Sequence, residues 1–197
     1  MRRTTGTRAR RPRPRWRVGV LDSDSRSRGE VSRSIEERGG LVVVDSPPRA
    51  DALELVRRME PDAVVLAAED EMDEAEVLTG PLTLGTCAPV VLLTSSVSTR
   101  TLRVARTSGV MGVLLRPLRP VDVAPTLDLA IARFRDLRRL RQALADRPVV
   151  EQAKARLMRD GLSEPAAFGW LRRRAMDRRV RIGEVARTVL AGDGLRA

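Results

Sequence analysis

The chain has no histidine, no tyrosine, one cysteine (Cys87), one lysine (Lys154) and only four aromatic rings in 197 residues. Without histidine, His-dependent zinc sites, hydrolytic triads and most general acid–base designs are excluded. A single cysteine forms no intrachain disulfide and no cysteine-based metal centre. Aromatics at 2% are too few for the exposed platforms on which some RNA-binding sheets stack successive bases. No apolar run approaches the roughly 20 residues of a membrane span. The Arg-rich N-terminus has no apolar stretch behind it and does not read as a secretory signal, so a cytoplasmic location and no membrane partner are expected. No phosphate-binding glycine loop or paired catalytic carboxylate site is visible, and no enzyme is expected.

What the chain does have is charge, unevenly spread. The net charge is +11. Residues 1–17 hold eight arginines and no acid, whereas residues 18–117 hold 11 basic and 16 acidic residues. From residue 118 onward the balance is basic again. A polyanionic partner is therefore drawn to the ends and not to the front domain. Apart from Lys154 every cation is arginine, which a GC-rich genome explains most simply. Arginine still offers a forked donor suited to phosphate and guanine.

Residues 1–15 are rich in Arg and Pro and poor in apolar content, and read as a disordered tail. Its role is either a weak nucleic-acid contact or none. An α/β alternation follows over 16–120. Short apolar runs at 17–21, 41–44, 63–67, 89–94 and 112–115 read as strands. Helices are expected between them at 25–38, 50–59, 69–78 and 99–107, with Gly39-Gly40 as a stop signal for the first. Five such units predict a parallel, doubly wound sheet, with its ligand site beyond the C-terminal strand ends.

A long helix is expected over 121–146, with Leu127, Ile131, Phe134, Leu137, Leu140 and Leu144 recurring every three or four residues. Its second half reads as a coiled-coil seam of a homodimer; packing on its own chain's C-terminal module is the alternative. Pro148 is expected to open the next helix. Residues 147–192 read as three short helices with Ala at their contacts, the second capped by Ser163 and the third over 182–190. Trp170 is assigned to their core, with stacking on a base as the alternative.

The front domain resembles the receiver domain of two-component response regulators. The resemblance rests on Asp22-Ser23-Asp24 after the first strand, Pro61-Asp62 before the third, Thr94-Ser95 after the fourth and Leu115-Arg116-Pro117 after the fifth. It implies a flavodoxin-like fold, a Mg²⁺ site in the first acids, a phosphate-accepting aspartate ending strand three, and a Thr and Lys that sense the phosphate. Here Ala67 stands at the acceptor position, Ser23 replaces one acid, and Arg116 stands for the lysine. A degenerate pocket of Asp22, Ser23, Asp24, Ala67, Thr94 and Arg116 is expected, not phosphorylated on aspartate. Asp22 and Asp24 leave at most a weakened Mg²⁺ site, and no resident cofactor is expected. Glu69, Asp70 and Asp73 are the alternative acceptors. A sensor or signalling protein is a candidate partner of this domain.

The last module is similar to the ANTAR domain, the RNA-binding unit of AmiR- and NasT-type antitermination regulators. Ala153-Lys154, Leu157-Met158, Gly161-Leu162-Ser163, Ala167-Phe168, Leu171, Ala175-Met176 and Val185-Ala186 carry the similarity. Ala155 departs from the usual glycine. The resemblance implies paired hairpins in nascent RNA as the target, bound in competition with a terminator hairpin. From the residues themselves, Lys154, Arg156, Arg172, Arg173, Arg174, Arg178, Arg179 and Arg181 form a footprint for a phosphate backbone. A DNA-binding helix-turn-helix factor and a protein-contact signalling adaptor are the competing readings.

Overall fold

The computed structural model describes residues 14–68, 88–99, 102–103, 105 and 109–192. The helix expected at 69–78, the alternative acceptors Glu69, Asp70 and Asp73, Cys87, nearly all of the tail and most of the 99–107 helix lie outside them. The described elements run β1 (Arg17–Leu21), α1 (Ser25–Glu36), β2 (Leu41–Ser46), α2 (Ala50–Met59), β3 (Ala63–Ala67), β4 (Val90–Thr94), β5 (Gly112–Leu115), α3 (Pro120–Arg159), α4 (Glu164–Arg178) and α5 (Ile182–Leu190). They form two compact units that divide between Phe134 and Arg135.

In the first unit the five strands pair in parallel in the order β2-β1-β3-β4-β5. Every residue of β3 and β4 is buried, as continuous apolar runs require when both sheet faces are covered. The two-residue period of a strand divides them between two cores. Val18, Val20, Val65, Val91 and Leu93 meet Val31 and Ile35 of α1 and Val123, Leu127 and Ala130 of α3. Val44, Val64, Leu66 and Leu92 meet Ala52 and Val56 of α2 on the other face. Each fully buried leucine stabilises the fold by about 2 kcal/mol.

The helix ends follow local chemistry. Asp24 caps α1 by accepting from the Arg26 amide at 2.9 Å. Gly39 takes φ +80° just past its end, where a side chain would be strained. Arg15, the last residue of the expected tail, is tied down. Its amide donates to Gly39 O at 2.7 Å, and its guanidinium lies over Trp16 and bonds Asp128. The Trp16 indole N–H donates to the same Asp128 carboxylate at 2.8 Å, joining the start of β1 to α3.

One expectation is corrected. Pro148 does not open a helix; α3 runs unbroken for 40 residues from Pro120 to Arg159. Proline removes one backbone hydrogen bond, the one its N–H would give to Leu144 O, and crowds the turn before it. Side-chain ties on both sides oppose that cost. Asp146 is held by Gln142 and Arg187, while Val150, Ala153 and Leu157 enter the second core. The segment expected to link the domains is thus shared, its start packing in the first unit and its end in the second.

In the second unit α3, α4 and α5 enclose a small core of Val150, Ala153, Leu157, Ala167, Leu171, Ala175, Val185, Ala186 and Val189. Ala153, Ala167 and Ala186 are fully buried. Leu137, Leu140 and Leu144 of α3 lie in neither core and are exposed.

Candidate nucleic-acid interface and receiver pocket

The C-terminal strand ends bring Asp22, Ala67, Thr94 and Arg116 to one edge of the sheet, with register pairs Leu21–Leu66, Ala67–Leu93 and Thr94–Leu115. Asp22 is only 2% exposed, and both of its carboxylate oxygens are engaged. Oδ1 accepts from the Asp24 amide at 2.9 Å, and Oδ2 accepts from Arg116 Nη2 at 2.6 Å. The Asp24 carboxylate is occupied with capping α1. Thr94 is buried, and its hydroxyl donates to Ser96 O at 2.9 Å within its own loop. Ser23 is exposed. Arg28 closes the wall, donating to Asp22 O at 2.6 Å and pairing with Asp45.

The receiver resemblance implies a Mg²⁺ ion at this place, and the described residues do not fit one. A divalent cation needs several oxygen ligands. Ala67 supplies none, and the guanidinium of Arg116 stands against the buried carboxylate where the metal's charge would be. No methyl group accepts a phosphoryl group. The pocket is neutralised from within.

The second unit presents the cations. Arg172 and Arg173 on α4 are exposed, as are Arg178 at its end and Arg179 just beyond it. Arg179 ends α4 in the left-handed conformation, φ 54°, with the Val180 amide closing on Ala175 O at 3.0 Å. Glycine is the usual residue there, so an arginine carries backbone strain of about 1 kcal/mol. Arg174 is half-buried, 5.9 Å from the Trp170 ring, which packs against the core as expected. Arg156 pairs with Asp160 at 3.7 Å and Arg181 with Glu184 at 3.0 Å.

Lys154 has a different setting. Its side chain is 12% exposed and bonded to Glu164 at 2.8 Å and Glu151 at 3.0 Å. It flanks the apolar face and ties α3 to the start of α4. The hydrogen bonds it donates to Glu164 and then Glu151 hold the ammonium above its ordinary pKa, and Lys154 in turn lowers that of Glu164.

Sequence reasoning missed the network around Asp146. This carboxylate is buried and accepts from Gln142 Nε2 at 2.9 Å and from Arg187 Nη2 at 2.5 Å, joining α3 to α5. Burial alone would raise its pKa. The hydrogen bonds from Gln142 and Arg187 and the charges of Arg187 and Arg181 outweigh it and hold Asp146 low. The available signal was Gly183, a glycine inside a helix, where a Cβ would overlap the Asp146 carboxylate.

These shifts fix the acid behaviour of the module. Groups with a lowered folded pKa, Asp146 and Glu164, stabilise it fully above their unfolded values and lose that contribution as pH falls through the lowered ones. Lys154 contributes fully below its unfolded value and loses it as pH rises through the raised one. Thermal melts are expected to be level in these terms from about pH 5 to 9 and to fall below about pH 4. Asp146→Asn should flatten part of that acid limb.

A parallel five-stranded sheet with a phosphorylation-pocket layout, followed by a compact helical trio, defines a response regulator of receiver-plus-ANTAR type. Residues 138–190 match the ANTAR domain family. The chain is 30% identical over 182 residues to the transcriptional regulatory protein PdtaR of Mycobacterium tuberculosis, across 88% of this chain and 89% of that one. It belongs to the family of ANTAR-domain response regulators. Solved structures agree on the front fold. The receiver domain of a modulated diguanylate cyclase from Desulfovibrio desulfuricans G20 is similar with TM-score 0.55 and 17% identity, over 61% of this chain and 96% of that one. A response regulator from Thermotoga maritima gives TM-score 0.53 and 20% identity, over 59% and 97%. The receiver domain of the response regulator NarL from Mycobacterium tuberculosis gives 0.51 and 26%, over 58% and 95%. No helix among the described residues is long and apolar enough to cross a membrane.

Proposed function

We propose that this chain controls transcription by antitermination. Its C-terminal helices bind hairpins of a nascent transcript and hold an RNA fold that excludes the terminator. The ANTAR match over 138–190, with Arg172, Arg173, Arg178 and Arg179 exposed on and just beyond one helix of the trio, carries this reading. Forked guanidinium groups bind phosphate, and unstacked loop bases supply what a protein reads specifically. The direct test is single-round transcription through a leader with tandem hairpins before a terminator. Added protein should raise read-through; unchanged termination at saturating protein contradicts the reading.

The front domain serves in this reading as a pseudo-receiver. Ala67 offers no nucleophile, and Arg116 already neutralises Asp22. Incubation with a small phosphodonor and Mg²⁺ is expected to leave the intact mass unchanged. An acid-stable, base-labile phosphoryl adduct would contradict it. Its input is then a protein or ligand contact, with a sensor or signalling protein as the candidate partner.

Leu137, Leu140 and Leu144 supply a homodimer seam in the same reading. Leu140 and Leu144 are 63% and 70% exposed in the single chain. Three and four residues apart, they form one stripe on α3. Leu140→Glu with Leu144→Glu is expected to turn a dimer into a monomer by sedimentation, without loss of helix content. Two modules on one dimer engage paired hairpins with an avidity set by their effective concentration, so this variant should lose the preference for tandem over single hairpins.

A further inference from the structure

A groove of about 520 Å³ opens within the second unit, between α3, the start of α4 and the start of α5. Its apolar surface is made by Val150, Ile182 and Phe168, and Arg139, Arg147 and Arg181 stand among its walls. Of the chain's four aromatic rings, Trp16 and Phe134 are buried and Trp170 packs against the module core. Phe168 alone is largely exposed, at 45%. Nothing in the module's packing requires an aromatic ring there, since the inward positions of α4 are Ala167, Leu171 and Ala175.

We propose that this groove receives a single unpaired nucleobase, swung out of an RNA hairpin loop and stacked on Phe168. The site rests on the RNA-binding reading and sharpens it. The arginines select the occupant. A purely apolar helix would leave three guanidinium groups unused, whereas an extruded base brings a phosphate on either side. Asp146 offers those phosphates little repulsion, because Gln142 and Arg187 already occupy its carboxylate. Glu151 is likewise held by Lys154. The volume lies within the range of small-ligand sites and suits one base better than a run of them. One ring also fits a chain with too few aromatics for a platform. Loop bases are commonly read by such stacking, which contributes roughly ten-fold or more in affinity per base.

The test uses the full-length protein and a synthetic RNA of two tandem stem-loops, with 2-aminopurine placed at each loop position in turn. One position should lose fluorescence on binding to the wild type. Phe168→Leu keeps an apolar side chain but removes the π-face. It should bind about ten-fold more weakly and abolish that quenching, while Phe168→Trp retains both. Circular dichroism of each variant establishes that the helices persist. Three outcomes overturn the proposal. If the wild type does not prefer the stem-loops to a duplex of equal length, the groove falls with the reading it rests on. If it binds them tightly with no loop position quenched, or if Phe168→Leu binds equally well, the groove alone is excluded. If Phe168→Leu changes sedimentation but not RNA affinity, the groove is an interface between copies of the chain.

Discussion

Replacing Arg172, Arg173 and Arg178 together by alanine is expected to weaken hairpin binding by about 100-fold at moderate salt. A charge-assisted hydrogen bond to phosphate at an exposed site contributes about 1 kcal/mol, and three of them add to roughly that factor. The loss should carry an electrostatic signature. Each phosphate contact contributes somewhat under one unit to the slope of log affinity against log salt, so the slope should become shallower by about two to three. All three side chains are exposed and alanine is a good helix former, so the fold should survive. Titrations at several salt concentrations read both quantities. A variant with weaker binding but an unchanged slope would show that the arginines act through the module's shape and not through phosphate.

The second large effect is on stability. Gly183→Ala places a methyl group on the Asp146 carboxylate, so either that carboxylate is pushed off Gln142 and Arg187 or the start of α5 moves away from α3. Overlap in a packed site costs about 2 kcal/mol. That is a large fraction of what a core of this size supplies. Asp146→Ala alone should cost about 1.5–3 kcal/mol, because it strips Gln142 and Arg187 of a charged acceptor. The double variant removes the overlap along with the network. Its destabilisation should fall short of the sum of the two by at least 1 kcal/mol in urea unfolding. Strict additivity would mean that the two residues do not constrain each other.

The sequence showed much of this, for identifiable reasons. The strands were visible because a parallel sheet buried on both faces needs continuous apolar runs, such as Ala63–Ala67 and Val90–Thr94. Ala67 at the end of β3 was legible because the apolar run that forms the strand stops there. The trio's core positions, Ala153, Leu157, Leu171 and Val185, followed from helical spacing. Proline misled the reading at 148, since its local preference for a helix start was outweighed by side-chain ties on both sides. Long-range pairs were not legible. Nothing in the spacing joins Asp22 to Arg116, 94 residues away, or Asp146 to Arg187, 41 away. Lys154 also read as a simple phosphate ligand until Glu151 and Glu164 were seen to hold it. Arg172, Arg173, Arg178 and Arg179 are the more exposed cations of the module.

The central claim is recognition of folded transcript by the C-terminal helices. Competition tests it most directly: full-length protein is bound to a labelled tandem-hairpin RNA at physiological salt and challenged with unlabelled duplex DNA and the same RNA with its loops scrambled. The account predicts that only the intact hairpin RNA displaces the label efficiently. Equal displacement by all three competitors would reduce the interaction to general attraction between a basic protein and any polyanion.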